Sequence, residues 1–260
     1  MALICLYAAL ALLLSVDTVA ASDPPRREIR FAVVAHFPPF QSRSPQGQLV
    51  GVNIELGNAL CRQLNVRCTW VDQVLVENFS ALEARQFDAI MGIAPTSNRR
   101  RWVSFTDELY AFTTRLVGRR ASGLTPTVRS LKGKRVGVLL GSNREAFARS
   151  QWAPKGVIIK SFWLIDEVIR SLVAGEIDAT LQGPVELRES LLDTSHGRDF
   201  AFLGPEVSAD LLGSGVAIAL RKSDIELLND LNGALEQLVQ NGEYQRIIQP
   251  YRLYEHLATP

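Results

Sequence analysis

The sequence predicts an α/β protein made of two lobes. Three observations carry this. Short apolar runs alternate with amphipathic stretches of helical period, the alternation restarts near residue 131, and 260 residues that are 47% apolar allow two cores of ordinary size. The net charge of +1 gives no reason to expect a nucleic-acid or membrane-surface partner.

The elements follow in chain order. Apolar residues run almost unbroken from Ala2 to Leu14, and small residues follow at Val19, Ala20 and Ala21. This reads as a secretory signal over 1–21. It is atypical, because no Lys or Arg precedes the apolar run; the alternative, an anchor helix, falls short of the ~20 residues a membrane span needs. Cys5 lies inside this segment and receives no role. A polar linker over 22–28 leads to a strand over 29–35. The stretch "VVAHFPPF" then breaks it, since two adjacent prolines cannot donate to a sheet ladder. A helix over 54–64 follows, with Ile54, Ala59, Leu60 and Leu64 on its apolar side, then a strand over 66–71, a helix over 79–85 and a strand over 89–91. The second series has strands over 135–139, 157–162, 179–181 and 200–203, with helices starting near 144, over 166–174 and over 185–192. A strand over 216–220 and a helix over 224–239 close the chain. Such alternation implies largely parallel sheets covered by helices. No internal repeat is visible.

Cys61 and Cys68 remain in the mature chain. In an exported protein, two cysteines with six residues between them point to a disulfide, whose short loop contributes about 2.5 kcal/mol by the chain-entropy model. Two buried thiols are the alternative.

Seven segments in order, "FPPF", "GQLVGVNIELGNALC", "QFDAIMG", "TSNRRRWVSFTDELY", "LKGKRVGVLLGS", "LVAGEIDATL" and "GVAIALRKSD", are similar to extracellular solute-binding proteins of family 3. These are the periplasmic receptors of polar amino-acid ABC importers. The likeness covers about 29–251 and is greatest to the lysine/arginine/ornithine and histidine receptors, through "VRCTW", "LLGSNREAFA" and "FAFLGPEV". The resemblance implies a type II periplasmic-binding-protein fold, with two α/β lobes joined by two hinge strands. Lobe 1 is then discontinuous, 29–110 plus 213–260, and lobe 2 spans 111–212, with hinges near 111–115 and 203–212. Cys61 and Cys68 fall where the basic amino-acid receptors carry their disulfide. The expected partners are a small carboxylate ligand and an inner-membrane ABC permease. A monomer without cofactor in the periplasm is expected.

Site residues follow from the same resemblance. Phe37 stands where an aromatic packs the ligand's stem, whereas Phe40 reads as a core cap. Thr96 and Arg99 match a Thr-x-x-Arg ahead of "FTD" at 105–107, and a guanidinium there can grip a carboxylate with two parallel hydrogen bonds. Arg100 competes for that role, because the chain is one residue shorter than the family between Asp88 and Thr96. The family's hydroxyl-rich run is here "GIAP", and Pro95 has no N–H to offer. Gly141, Ser142 and Asn143 form a strand-to-helix turn whose amides suit an anion, unless Ser142 or Asn143 is only a helix N-cap.

Three positions depart from the family. Gly183 replaces the Asp that holds the ligand's α-ammonium, Val34 replaces a second acid, and Leu75 replaces an aromatic lid. A buried ammonium without its partner costs roughly 3–5 kcal/mol, or about two to four decades in affinity. Glu186 could replace the missing acid, or merely complement a helix dipole. His36 adjoins the cleft but has no companions at metal-ligand spacing. The leading expectation is therefore a solute receptor and not an enzyme. A cyclohexadienyl-dehydratase-like enzyme, with Glu186 or Glu55 as its acid, and a sensor acting in trans are the alternatives.

Overall fold

The computed structural model describes residues 28–251 and 253; the predicted signal at 1–21 and nearly all of the linker at 22–28 lie outside the described residues. The chain begins β1 (Glu28–Val33), β2 (His36–Phe37), β3 (Gln41–Arg43), β4 (Leu49–Val50), α1 (Val52–Gln63) and β5 (Arg67–Asp72). It continues α2 (Asn78–Glu83), β6 (Ala89–Ile93), β7 (Val103–Phe105) and β8 (Tyr110–Ala111). The next series is β9 (Arg115–Arg119), α3 (Val128–Leu131), β10 (Arg135–Leu139), α4 (Asn143–Phe147), β11 (Ile158–Phe162) and α5 (Ile165–Val173). β12 (Ala179–Gln182), α6 (Pro184–Leu187), β13 (Phe200–Phe202), β14 (Gly215–Arg221), α7 (Ile225–Gln240) and α8 (Glu243–Ile248) complete it.

Two main sheets result. One has the order β5-β1-β6-β14-β7, with β8 also paired to β14; the other has the order β11-β10-β12-β9-β13. In each, the first three strands are parallel and the fourth runs antiparallel, so the sheets are only half as parallel as the alternation implied. The reason is connectivity. β14 arrives from the other lobe and β9 leaves for it, so neither is reached through a helical crossover. The chain passes between the sheets through 112–114 and 203–214.

Alternation along the strands sets the layers. Phe31, Val33, Ile218 and Leu220 share a cluster with α1, α7 and α8, while Ala32, Ala217 and Ala219 share the opposite one with Leu82 and Phe87. Helix α7 buries Leu227, Leu231, Ala234, Leu235 and Leu238, spaced for one helical face. Cys61 and Cys68 form a disulfide across the turn from α1 to β5.

Both sheets are stapled in the same way. The backbone N–H and Nε of Arg30 donate to Asp88 Oδ2 at 2.9 and 3.1 Å, and its Nη2 donates to Oδ1 at 2.9 Å. Arg135 repeats this on Asp178 at 2.7, 3.1 and 3.0 Å. The sequence reading found no internal repeat. Structurally there is one, written as Arg on the second strand of each sheet order, β1 or β10, and "FDAI" or "IDAT" at the start of the third, β6 or β12.

Candidate functional site

The turn that interrupts β1 is built by its neighbours. The amides of Val52 and Asn53, at the start of α1, donate to the carbonyls of Pro39 and Phe40 at 3.2 and 2.9 Å. Gly51 precedes them with φ +119, and a side chain there would sit 2.6 Å from Pro39 O, so only glycine fits. The Pro38–Pro39 peptide is cis. Phe37 stacks on Phe40 with centroids 5.4 Å apart, and Phe40 stacks on Tyr110 at 5.6 Å and meets Phe112 edge-on at 5.7 Å. Phe37 also packs against the core of the other lobe.

This aromatic floor bounds a cavity of about 70 Å³ between the two sheets. Val34, Phe37, Phe40 and Leu75 supply apolar wall, and Arg99, Ser142, Asn143 and Arg144 supply polar wall. Its wall also includes a buried hydrogen-bonded chain, in which Tyr110 OH donates to Asn53 Oδ1 at 2.8 Å and Asn53 Nδ2 donates to Gln41 Oε1 at 2.6 Å. Burial pushes the Tyr110 hydroxyl well up, against the bond to Asn53. Asn78, at the start of α2, is fully buried on the wall, and neither its Nδ2 nor its Oδ1 has a hydrogen-bond partner.

Arg99 reaches this cavity and Arg100 does not. Arg99 Nη1 donates to Ala94 O and Nη2 to Gly141 O across the cleft, each at 3.2 Å, and the guanidinium lies over the Phe79 ring. Burial, helped by the like charge of Arg144, lowers Arg99 to about 10, so it remains cationic at neutral pH. Arg100 is exposed, donates to Pro95 O at 3.1 Å and lies over Phe105. Thr96 is buried and its Oγ1 accepts the Arg99 N–H at 3.4 Å; it lines a second pocket on the far side of Arg99, not the main cavity.

The facing turn is more self-contained than its sequence suggested. Gly141 N–H donates to Glu145 Oε2 at 2.7 Å, and Ser142 N–H donates to Leu139 O at 3.2 Å. Ser142 Oγ accepts the Glu145 N–H at 3.0 Å as the N-cap of α4, and Asn143 Nδ2 donates to Leu212 O. Gly141 sits at φ +75 and touches the other lobe, because a side chain there would come within 2.9 Å of the Val76 Cα.

Gly183 and Glu186 lie behind the wall rather than on it. Glu186 Oε1 accepts the Gly183 N–H at 2.5 Å, and its carboxylate fills the space that a side chain at 183 would need, within 2.6 Å of a Cβ built there. Its other partner is Arg144, whose Nη2 stands 3.3 Å from Oε1 in an ion pair almost closed to solvent. Burial pushes the Glu186 carboxyl up and the Arg144 guanidinium down, and each opposes the shift of the other. Arg144 is held over the face of Phe112 at 4.5 Å, and its Nε donates to Thr114 Oγ1 at 3.4 Å. Sequence reasoning missed Arg144, Asn78, Asn53 and Tyr110. Only the adjacency of Arg144 to the turn at 141–143 could have flagged it. His36 and Glu55 are exposed outside the cavity, and Glu55 accepts from Tyr251 OH at 2.5 Å.

Two α/β lobes that meet around an arginine-walled cavity define a type II periplasmic-binding fold, the architecture of a cleft-closing solute receptor. The sequence matches the model of the bacterial extracellular solute-binding proteins, family 3, over residues 29–253, and the chain belongs to that family. It is 40% identical over 244 residues to the histidine-binding periplasmic protein of Escherichia coli K12, covering 93% of this chain and 94% of the relative. It is 38% identical over 249 residues to the L-arginine-binding protein of Pseudomonas aeruginosa, covering 95% of each. Among solved structures, an ancestral arginine-binding protein bound to arginine superposes with a TM-score of 0.81 at 28% identity, covering 88% of this chain and 99% of that one. The chain is thus a solute-binding protein of the kind that serves ABC transport systems.

Proposed function

We propose that this protein is an exported periplasmic receptor that binds a small carboxylate between its lobes and presents the closed form to an inner-membrane ABC permease. It acts as a monomer. The observation that carries the reading is Arg99, a half-buried guanidinium on the cavity wall that donates to two backbone carbonyls. A carboxylate offers it a stronger, charge-assisted pair of acceptors. Because Arg99 already spans to Gly141 of the other lobe, a ligand bound there would couple to closure. Phe37, which contacts both lobes, would pack the body of the ligand.

A dehydratase reading needs a general acid beside the ligand. Glu186 is engaged by Arg144 and Gly183, and Glu55 is exposed outside the cavity, so the receptor reading is preferred over the enzyme. Native mass spectrometry of protein purified from periplasm without denaturation tests it. A bound carboxylate should be retained by Arg100→Ala and lost by Arg99→Ala. Loss from Arg100→Ala with retention by Arg99→Ala would move the clamp to Arg100.

A further inference from the structure

The cavity wall carries two guanidinium groups, Arg99 and Arg144, and among its described lining residues there is no aspartate or glutamate. The nearest acid, Glu186, does not line the cavity; Arg144, which does, pairs with its Oε1 at 3.3 Å. Position 183 cannot supply another, because Glu186 and the Phe112 ring occupy its side-chain space. An ammonium group entering this cavity would meet two guanidinium groups on the wall and no carboxylate among the described lining residues, and burying it so would be heavily penalised. An anion would meet the opposite situation.

Arg144 also has capacity left over. Its Nη2 makes no hydrogen bond, since the 3.3 Å approach to Glu186 is an ion pair without hydrogen-bond geometry, and stacking on Phe112 keeps the group in place. Asn78 contributes a second unpartnered group, a fully buried amide on the same wall. Buried donors without partners in a cavity are what a polar ligand completes.

Building on the carboxylate-receptor reading, we propose that the ligand is a small anion with no ammonium group and two acceptor ends. A carboxylate rests on Arg99, and a second carboxylate or keto oxygen rests on Arg144, with the Asn78 amide as a further donor. The internal Arg144–Glu186 pair takes the place that an amine and its acid would hold in an α-amino-acid site.

Matched probes test this on the mature protein by calorimetry: succinate against L-aspartate, and glutarate against L-glutamate, with L-arginine and L-histidine alongside. At least one amine-free acid should bind ten-fold or more tightly than its aminated partner, with L-arginine and L-histidine silent. Aminated probes binding as tightly as, or more tightly than, the amine-free ones would overturn the inference and leave the carboxylate receptor standing. Silence from every probe would overturn both. A variant gives an independent readout. Arg144→Gln uncovers the Glu186 carboxylate, so it should weaken the preferred diacid at least ten-fold and raise L-glutamate or L-arginine binding by a similar factor. The double variant Arg144→Gln/Glu186→Gln, which leaves no buried charge, should lose the diacid without gaining the amino acids. Unchanged diacid affinity in both variants would remove Arg144 from the site.

Discussion

The two lobes repeat one scaffold and divide the chemistry. Their sheets share an order through the fourth strand, and each is locked by an arginine on the second strand of that order bound three times to an aspartate at the head of the third. The turns at the carboxyl ends of those strands then diverge. In lobe 1 the turn after β1 is an aromatic floor, and the segment after β6 delivers Arg99 with no acid beside it. In lobe 2 the turn after β10 delivers Arg144, and the turn after β12 delivers the Glu186 that neutralises it. The difference teaches that the strand order fixes where functional groups can stand, while the turns decide their charge.

The staples are the place to break this equivalence. The largest effect is expected at Asp88, which faces both Arg30 and, at 3.7 Å, the buried Arg221. Asp88→Ala should lower the unfolding free energy by about 3 kcal/mol in urea titration, because it removes three bonds from Arg30 and one of the two carboxylates beside the buried Arg221, which keeps Asp224 at 2.6 Å. Next comes a feature that lobe 2 lacks among its described residues, the Cys61–Cys68 bridge. Cys68→Ser should cost about 2.5 kcal/mol, read as a shift in urea midpoint under oxidising conditions. Asp178→Ala should cost less, about 1 kcal/mol, since its carboxylate is more exposed than that of Asp88, 28% against 11%, and no buried arginine stands beside it among the described residues. Equal losses at Asp88 and Asp178 would show that Arg221 adds nothing.

The smallest effect is in acid. Bonds from the Arg135 side chain hold the Asp178 carboxyl below its usual value of 3.8. A depressed carboxyl stabilises fully above its unfolded value and ceases to do so as pH falls through the folded one. Asp178→Asn should therefore flatten the stability profile below about pH 4 and leave its slope near pH 7 unchanged. A steeper acid limb in the variant would reverse the sign of that contribution.

How much was legible depends on length and partnership. The long periodic elements could be read to within two or three residues: 135–139 matches β10, and 224–239 is α7 displaced by one. Strands β2, β3 and β4 have two or three residues each, too few to show a period. The hinge expected at 111–115 ends in β9, an interior strand whose Gly118 lies against the backbone of Asp178, a closeness that no local pattern announces. At the site, Arg99 was visible, beside Arg100, because its spacing to Thr96 and Phe105 resembles the family's Thr-x-x-Arg motif. Arg144 was not, because "NRE" at the head of a helix reads as solvated charge, and only the packing of Phe112 and Glu186 turns it inward. The disulfide pair was legible because Cys61 and Cys68 are the two cysteines left once a secretory signal is removed, and an exported chain oxidises such a pair.

The passage of the chain between the sheets fixes an order of events in time. All five strands of the second sheet are present once residue 202 has been made, and they are contiguous in sequence from residue 115. The first sheet has a gap until β14, Gly215–Arg221, arrives to fill the slot between β6 and β7. A chain emerging from its amino end can therefore complete the lobe it began second before the lobe it began first. Until then β6 and β7 wait with unpaired edges, and that interval is when the nascent protein is most exposed to pairing with the wrong strand.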